Sequence, residues 1–167
     1  VFEANEVGNV CYLAQDYVPG ASLATWLRGH ADPVAPKVAA AFVTQLADGV
    51  ALAHDRQILH RDIKPGNILL APLPTAEPDS DLAEFQPKLA DFGVAKIESE
   101  NMSTGSGTMV GTPAYMSPEQ ASGRASTVHE QSDIYSLGVV LYELLTHRCP
   151  FVGESDLDTL HRVCHDD

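Results

Sequence analysis

The chain has 167 residues, 44% of them apolar, and this length and composition predict one globular domain or a large part of one. Its formal net charge of −13 argues against a nucleic-acid or anionic-membrane surface as the main binding site, because the long-range field would repel phosphate groups. Any phosphate-binding site must therefore be local. No apolar run approaches the length of a membrane span.

The cysteines and the first residue bear on where the protein works. Cys11, Cys149 and Cys164 are odd in number and far apart, which favours a reducing, cytoplasmic compartment over a disulfide framework. The chain begins with Val1 rather than methionine, which predicts a fragment of a longer protein. A membrane anchor, if the parent protein has one, would then lie outside these residues.

The first 18 residues predict a β-hairpin, with strands in "VFEA" and "VCYLAQDYV" and a turn in "NEVGN". A short helix is predicted in "ASLATWLRGH", with Ser22 as its N-cap. A longer helix is predicted in "APKVAAAFVTQLADGVALAHD". Its apolar residues recur at three-to-four spacing, so one stripe should face a core: Val38, Phe42, Leu46, Val50 and Ala53.

Residues 68–90 predict a second hairpin, because apolar segments at 68–70 and 88–90 flank a proline-rich acidic stretch. That stretch, residues 71–87, contains four prolines and four acids and no lysine or arginine. Loops of this length in a compact domain are usually functional or disordered. The low hydrophobicity favours a solvated insertion over a docking site.

Two helices are predicted beyond residues 98–120, a stretch rich in serine, threonine and glycine that predicts no regular structure. "QSDIYSLGVVLYELLTHRCPF" predicts a helix that is apolar nearly all round, which is typical of a helix inside a protein. "DLDTLHRVCH" predicts the last helix. His161 and His165 share one face of it, where a solvated surface is favoured over a metal site.

The stretch "HRDIKPGN", residues 60–67, carries groups that phosphoryl transfer requires. A carboxylate such as Asp62 can orient an attacking hydroxyl and accept its proton, and a cation such as Lys64 can offset charge on the moving phosphoryl group. The amide of Asn67 can help to hold Mg²⁺, which prefers oxygen ligands. Asp91, at the end of the paired strand, is the candidate second carboxylate.

These residues belong to an ordered set of motifs that resembles the protein kinases. "HRDIKPGN" is similar to the kinase catalytic loop, "DFG" at 91–93 to the metal-binding triplet, and "SPE" at 117–119 to the end of the activation segment. The resemblance implies an α+β, protein-kinase-like fold, mainly its helical C-lobe. It assigns residues 1–18 to the last N-lobe strands and the hinge, and residues 19–167 to an incomplete C-lobe. Within this C-lobe, residues 71–87 would be the insertion and residues 91–119 the activation segment.

The same resemblance implies a role for each catalytic residue. Asp62 resembles the catalytic base, and Lys64 resembles the lysine that contacts the transferred phosphate. Thr112 resembles the threonine that braces both of them, which is a feature of serine/threonine kinases. Asn67 and Asp91 resemble the ligands of Mg²⁺, or of Mn²⁺ in its place.

Further motif residues would be structural: His60, Phe92, Gly93, Glu119 and Asp133. Asp133 resembles the buried acid that anchors the backbone of the catalytic loop, with helix capping as the alternative. Glu119 resembles a glutamate that forms a buried ion pair with a later arginine, and the chain ends before that arginine would occur. Leaving such a pair unmatched would make the isolated chain only marginally stable.

An ATP site and a regulatory site are also implied by the resemblance. Adenine would lie against the hinge, with Gln15 at the gatekeeper position, backbone groups of Asp16 and Val18 facing the base, and Leu69 as the floor of the pocket. Arg61, which precedes the catalytic Asp, would hold a phosphorylated activation loop. Flexible-linker polarity is the equal alternative for the three candidate phosphorylation sites: Thr104, Ser106 and Thr108.

The 167 residues depart from the kinase pattern at the loop that covers ATP. They contain no G-x-G-x-x-G-x-V loop, and their first basic residue is Arg28, so no strand lysine precedes the hinge. Gly105, Gly107 and Gly111 have a different spacing and follow no strand, so they are rejected as that loop. These residues alone are therefore expected to bind nucleotide weakly and to be inactive.

The sequence thus favours an ATP-dependent kinase that phosphorylates serine or threonine of a protein substrate, with no nucleic-acid partner. "YVPGASLATWL" and "SPEQASG" resemble segments of bacterial receptor-type kinases. One alternative is a pseudokinase-like interaction module, which the missing ATP-covering loop favours. The other is a small-molecule phosphotransferase, which the segment "GTPAYMSPE" argues against.

Overall fold

The computed structural model describes residues 3–7, 10–14, 16–77, 80–92, 112–123 and 128–166. In this part of the chain, four strands form two antiparallel hairpins: β1 Glu3–Val7 with β2 Val10–Ala14, and β3 Ile68–Pro72 with β4 Phe85–Leu89. The α-helices here are α1 Leu23–Gly29, α2 Pro36–His54, α3 Pro118–Ala121, α4 Glu130–Thr146 and α5 Asp156–His165. Among the described helices, none is long and apolar enough to cross a membrane.

The first hairpin is confirmed, but its strands are placed differently from the prediction. β1 continues to Val7, which pairs with Val10, so only two residues are left to connect the strands. The prediction placed β1 earlier and extended the second strand to Val18. That extension is wrong, since the pairing ends at Glu3 with Ala14 and residues 16–18 are not in a strand.

The predicted helices α1 and α2 are confirmed, and both contribute to the core. Ser22 caps α1, because its side chain accepts a hydrogen bond from the backbone N–H of Thr25. α2 packs against α4 and the second hairpin through the predicted stripe, in which Val38 and Ala53 are only half-buried. The fully buried residues of the two helices are mainly apolar: Ala39, Phe42, Leu46 and Val50 from α2, and Leu137, Val140 and Leu144 from α4.

The loop of the second hairpin is shorter than predicted. β3 and β4 pair from Ile68 with Leu89 to Pro72 with Phe85, so the connection covers residues 73–84 and not 71–87. The connection is also not wholly solvated. Leu82 is fully buried in the core, and the indole N–H of Trp26 donates to the carbonyl of Ser80 (3.3 Å). These two contacts hold part of the acidic loop against the core and α1.

Helix α4 is not buried on all sides, which corrects the prediction from its composition. Ile134 is 57% exposed, and Tyr142 and Leu145 are also exposed. Its buried face instead includes polar residues, Asp133 and Ser136. Both make hydrogen bonds to other segments, and this pairing offsets the free energy of removing polar groups from water.

The linker of residues 16–22 runs close against β3. The N–H of Leu70 donates to the carbonyl of Ala21 (2.9 Å), and Ser22 forms an isolated bridge with Leu69. Between the linker and the strand there is no room for a side chain at Gly20, because a Cβ atom there would overlap the carbonyl oxygen of Leu70. Glycine is therefore required at this position by contact rather than by backbone conformation.

Replacing Gly20 by alanine is expected to lower the free energy of unfolding by about 1–3 kcal/mol, because backbone atoms must move to admit the methyl group. Urea unfolding followed by circular dichroism measures the change. Gly138→Ala in α4 is the matched control, since a Cβ there meets no atom within 4 Å. That control should be neutral or stabilising by up to about 1 kcal/mol. Equal stability of the two variants would contradict the close approach.

Candidate active site

The loop of residues 60–67 connects α2 to β3 and ends in a short 3-10 turn, Pro65–Asn67. Proline at the first position of the turn suits it, because the ring fixes φ and the missing N–H is not needed there. Lys64 precedes the turn in extended conformation. Lys64 and Asn67 are thereby turned back toward the carboxylate at Asp62.

Asp62, Lys64 and Asn67 are in direct contact. The ammonium of Lys64 lies 2.8 and 3.1 Å from the two carboxylate oxygens of Asp62. The amide nitrogen of Asn67 donates to Asp62 Oδ2 (2.9 Å) and to the Asp62 carbonyl (2.8 Å). The side chain of Asp62 nevertheless remains 29% exposed, so its carboxylate is oriented by the protein and still accessible from outside.

A buried carboxylate on α4 holds the backbone of this loop. Asp133 is only 1% exposed and accepts hydrogen bonds from the backbone N–H of His60 (2.9 Å) and of Arg61 (2.8 Å). His54 Nε2, at the end of α2, lies 2.8 Å from the same carboxylate. Both Asp133 oxygens are thus hydrogen-bonded, as a buried ionised group requires.

His60 connects the loop to the end of β4. Its Nδ1 accepts from the N–H of Asp62 (3.3 Å), so Nε2 carries the proton that is donated to the carbonyl of Ala90 (2.8 Å). Burial lowers the pKa of His60 below its ordinary value, and the Ala90 hydrogen bond and three nearby carboxylates, those of Asp133, Asp62 and Asp91, oppose this only in part. The imidazole is therefore neutral near pH 7, as its hydrogen bonds require. Its ring also lies against Phe92, with 4.6 Å between centroids.

The second hairpin places Asp91 one residue beyond Ala90, the backbone partner of Asn67. The N–H of Ala90 donates to the carbonyl of Asn67 (2.8 Å), which continues the pairing of β3 with β4 by one residue. Asp91 then adopts a left-handed conformation, φ +62°, and is exposed. The two predicted metal ligands thus lie at the same open end of the hairpin, Asn67 just before β3 begins and Asp91 shortly after β4 ends.

The residues present fit a magnesium ion of the kind that is shared with substrate phosphates. Both hydrogen bonds from Asn67 to Asp62 use the amide nitrogen, so the amide oxygen takes no part in them. This oxygen and the Asp91 carboxylate supply the oxygen donors that Mg²⁺ prefers, few in number where phosphates complete the shell. Across the described ranges, no cluster of three or more His, Cys, Asp or Glu side chains forms a metal cage.

The other predicted site residues are less closely assembled. Asp16 is exposed, Val18 is half-buried, and Leu69 lies beside the linker through its bridge with Ser22. Thr112 is exposed, and within the described segments no hydrogen bond joins its hydroxyl to Asp62 or Lys64. The remaining predicted residues lie outside the part of the chain that the structure describes: Gln15, Gly93, Thr104, Ser106 and Thr108.

In the described residues Glu119 forms a hydrogen bond but no ion pair. It is half-buried and accepts a hydrogen bond from the hydroxyl of Ser132 at the start of α4. Burial by itself would raise the pKa of Glu119, but hydrogen bonds, chiefly from Ser132, lower it below its ordinary value. A neutral hydroxyl thus binds one oxygen of this carboxylate, and the ion pair with a later arginine stays a prediction.

Three contacts at the site were missed from the sequence. One is the hydrogen bond between the ring of His54 and the carboxylate of Asp133, described above. Another is Gln120, whose amide donates to the carbonyl of Arg61 (2.8 Å), and the third joins Tyr115 to Glu143 (2.7 Å). The S-x-x-Q pattern of a helix cap could have indicated Gln120, and an acid inside an apolar helix could have indicated Glu143.

Comparison with known proteins agrees with this geometry. The protein kinase domain family matches residues 1–166. Serine/threonine-protein kinase PkaA of Streptomyces coelicolor is 39% identical over 93% of this chain and 26% of its own length. PrkC of Bacillus subtilis, also named a serine/threonine-protein kinase, is 38% identical over 93% of this chain and 22% of its own length. PknB of Mycobacterium leprae, with the same designation, is 35% identical over 96% of this chain and 24% of its own length.

The chain therefore spans about a quarter of the length of these relatives. The family match over nearly all its residues agrees with the mixture of helices and small antiparallel sheets, and with the assembled loop at Asp62. On this evidence the chain belongs to the protein kinase family, and the relatives that it resembles are named serine/threonine-protein kinases of bacteria.

Proposed function

We propose that these residues carry out phosphoryl transfer from ATP to serine or threonine hydroxyls of a protein substrate. The observation that supports this most strongly is the state of Asp62, a carboxylate held by Lys64 and Asn67 on one side yet accessible on the other. A buried structural ion pair would not need that access, whereas a base that meets a substrate hydroxyl does.

In the proposed step, a substrate hydroxyl oxygen bonds to the γ-phosphorus of ATP while the bond to the bridging oxygen of ADP breaks. Asp62 orients the hydroxyl and accepts its proton, and Lys64 stabilises the negative charge on the transferred group. The oxygens of Asn67 and Asp91 would hold Mg²⁺, which supplies positive charge at the phosphate oxygens when bound. Thr112 would brace Asp62 and Lys64 in the complete site.

Adenine would bind at the linker of residues 16–22. Backbone groups of Asp16 and Val18 would face the base, with Gln15 as gatekeeper and Leu69 as the floor. The bridge between Ser22 and Leu69 supports this, because it places Leu69 beside the linker.

The free thiols of Cys149 and Cys164 support action in the reducing cytoplasm.

For the 167 residues taken alone, a non-catalytic interaction module is the alternative. The 167 residues contain no glycine-rich loop, and their first basic residue is Arg28. Positioning of the phosphates supplies much of the rate in this chemistry. The 167-residue polypeptide alone should therefore show negligible kinase activity, and strong peptide phosphorylation by it would contradict this account of the ATP site.

Phosphorylation of serine- or threonine-containing peptides by the full-length protein tests the proposed function. Asp62→Asn should lower kcat by about 10²–10⁴-fold, because the amide cannot accept the hydroxyl proton. Asp32→Asn is the matched control, since Asp32 is exposed and distant in sequence from the loop. No peptide phosphorylation by the unaltered full-length protein would favour the interaction module, and turnover of a small hydroxylated metabolite instead would show the small-molecule alternative.

Arg61 is proposed to bind a phosphorylated residue of the activation segment. Its backbone N–H donates to Asp133, and its carbonyl accepts from Gln120. In the described residues no carboxylate forms an ion pair with its guanidinium. The group is therefore available for an anion, for which phosphorylated Thr104, Ser106 or Thr108 is the candidate source.

Replacing Arg61 by glutamine should remove activation by phosphorylation. The measurement compares kcat/KM of full-length protein before and after phosphatase treatment, and the phosphorylated form should lose about 5- to 100-fold while the other form changes little. Arg56→Gln, at an exposed position two residues after α2, is the control. An equal loss in both forms would contradict the proposal.

His60 predicts a specific loss of stability in weak acid. Its pKa is lower in the folded than in the unfolded chain, where it is about 6.5. The unfolded chain therefore binds the proton first. The neutral imidazole contributes stability that is complete above pH 6.5 and is lost, at up to about 1.4 kcal/mol per pH unit, as the pH falls toward the folded pKa.

Urea unfolding between pH 7.5 and about pH 5 measures this slope. His60→Gln should flatten it in that range, whatever the variant's stability at neutral pH. His165→Gln, at the exposed end of α5, should keep the slope of the unaltered chain. Equal slopes for all three proteins would show that His60 does not titrate on unfolding.

A further inference from the structure

The one-turn helix α3 is capped by a reciprocal pair of hydrogen bonds. The hydroxyl of Ser117 accepts from the backbone N–H of Gln120 (3.4 Å), and the amide oxygen of Gln120 accepts from the backbone N–H of Ser117 (3.0 Å). A glutamate at Gln120 could form the same cap, because the cap uses only an acceptor of that side chain. The cap alone does not require glutamine.

The second polar atom of the Gln120 side chain reaches the catalytic loop. Its amide nitrogen donates to the carbonyl of Arg61 (2.8 Å), across 59 residues of sequence. The peptide group between Arg61 and Asp62 is thus held on both edges, because the N–H of Asp62 donates to His60. This is the peptide that sets the direction of the Asp62 side chain.

This peptide group needs such support. Arg61 has φ +68°, in the left-handed region that is unfavourable for a residue with a side chain. Such a conformation persists only where the surroundings hold it. The two backbone hydrogen bonds of Arg61, from its N–H to Asp133 and from Gln120 to its carbonyl, supply that support.

We propose that Gln120 is a positioning residue that couples the backbone before Asp62 to the segment of residues 112–117. It acts through the Arg61 carbonyl and does not touch substrate, and its catalytic consequence rests on the function proposed above. The segment is itself held to α4, since Ser136 donates to the carbonyl of Tyr115 (2.8 Å). A displacement of this segment would reach Asp62 through one amide side chain.

Gln120→Glu separates the two roles of this side chain. The carboxylate retains the acceptor for the cap of α3 but has no N–H to donate to Arg61, and its charge is repelled by the carbonyl. In the full-length protein, kcat should fall about 10- to 100-fold at an unchanged KM for ATP, because the carboxylate of Asp62 is displaced while binding contacts remain. The control Gln131→Glu adds the same charge on exposed α4 surface and leaves the contact with Arg61 intact.

A neutral variant and the pH profile distinguish positioning from the added charge. Gln120→Met should lower kcat as much as Gln120→Glu. Neither should shift the pH dependence of kcat, since both variants act on the position of the Asp62 carboxylate. Equal kcat for Gln120→Glu and Gln131→Glu would overturn the proposal, and so would a loss explained by a shifted pH profile alone.

Hydrogen exchange tests the coupling independently of activity. In Gln120→Glu the backbone N–H groups of Arg61 and Asp62 should exchange at least about tenfold faster than in Gln131→Glu. The backbone N–H of residue 120, which the cap still holds, should exchange at the same rate in both variants. Unchanged exchange at Arg61 and Asp62 would overturn the proposal even in a protein without kinase activity. Faster exchange in an inactive protein would uphold the coupling and contradict only the proposed function.

Discussion

The rest of the site depends on one buried carboxylate. Asp133 lies inside the protein at 1% exposure, where an ionised group is stable only if its oxygens are fully hydrogen-bonded. Its donors are the backbone N–H groups of His60 and Arg61 and the ring of His54. The hydrogen bonds of this one carboxylate therefore hold the end of α2, the loop of residues 60–67 and α4 together at a single point.

That constraint explains how an unfavourable backbone conformation can persist next to Asp62. Arg61 adopts positive φ because its N–H is bound by Asp133 and its carbonyl by Gln120. The strain is thus opposed by contacts from two other helices. In return, the loop presents one carboxylate that is oriented by Lys64 and Asn67 and still reaches solvent. Rigid support and access coexist because the supporting groups lie on the backbone side of the loop.

Much of the fold was predictable, and the errors share a cause. Helices α1, α2 and α5 follow from caps and apolar spacing, which are local properties. Exposure of Ile134 and burial of Leu82 were not predictable in the same way. An apolar residue prefers contact, but its pattern does not say whether another element is there to provide it. The extent of β3 and β4 was missed for the same reason, since register depends on both strands.

The sequence by itself determined the family and the local assembly of one loop. Asp62, Lys64 and Asn67 lie within six residues, so a proline-containing turn is enough to bring them together, and local geometry can be read from spacing. Only the tertiary structure decided how that loop is supported. Asp133 was expected to anchor the loop only by resemblance, and the contacts of His54 and Gln120 were not expected. Each joins residues between 59 and 79 positions apart, and such hydrogen bonds exist only after the helices pack.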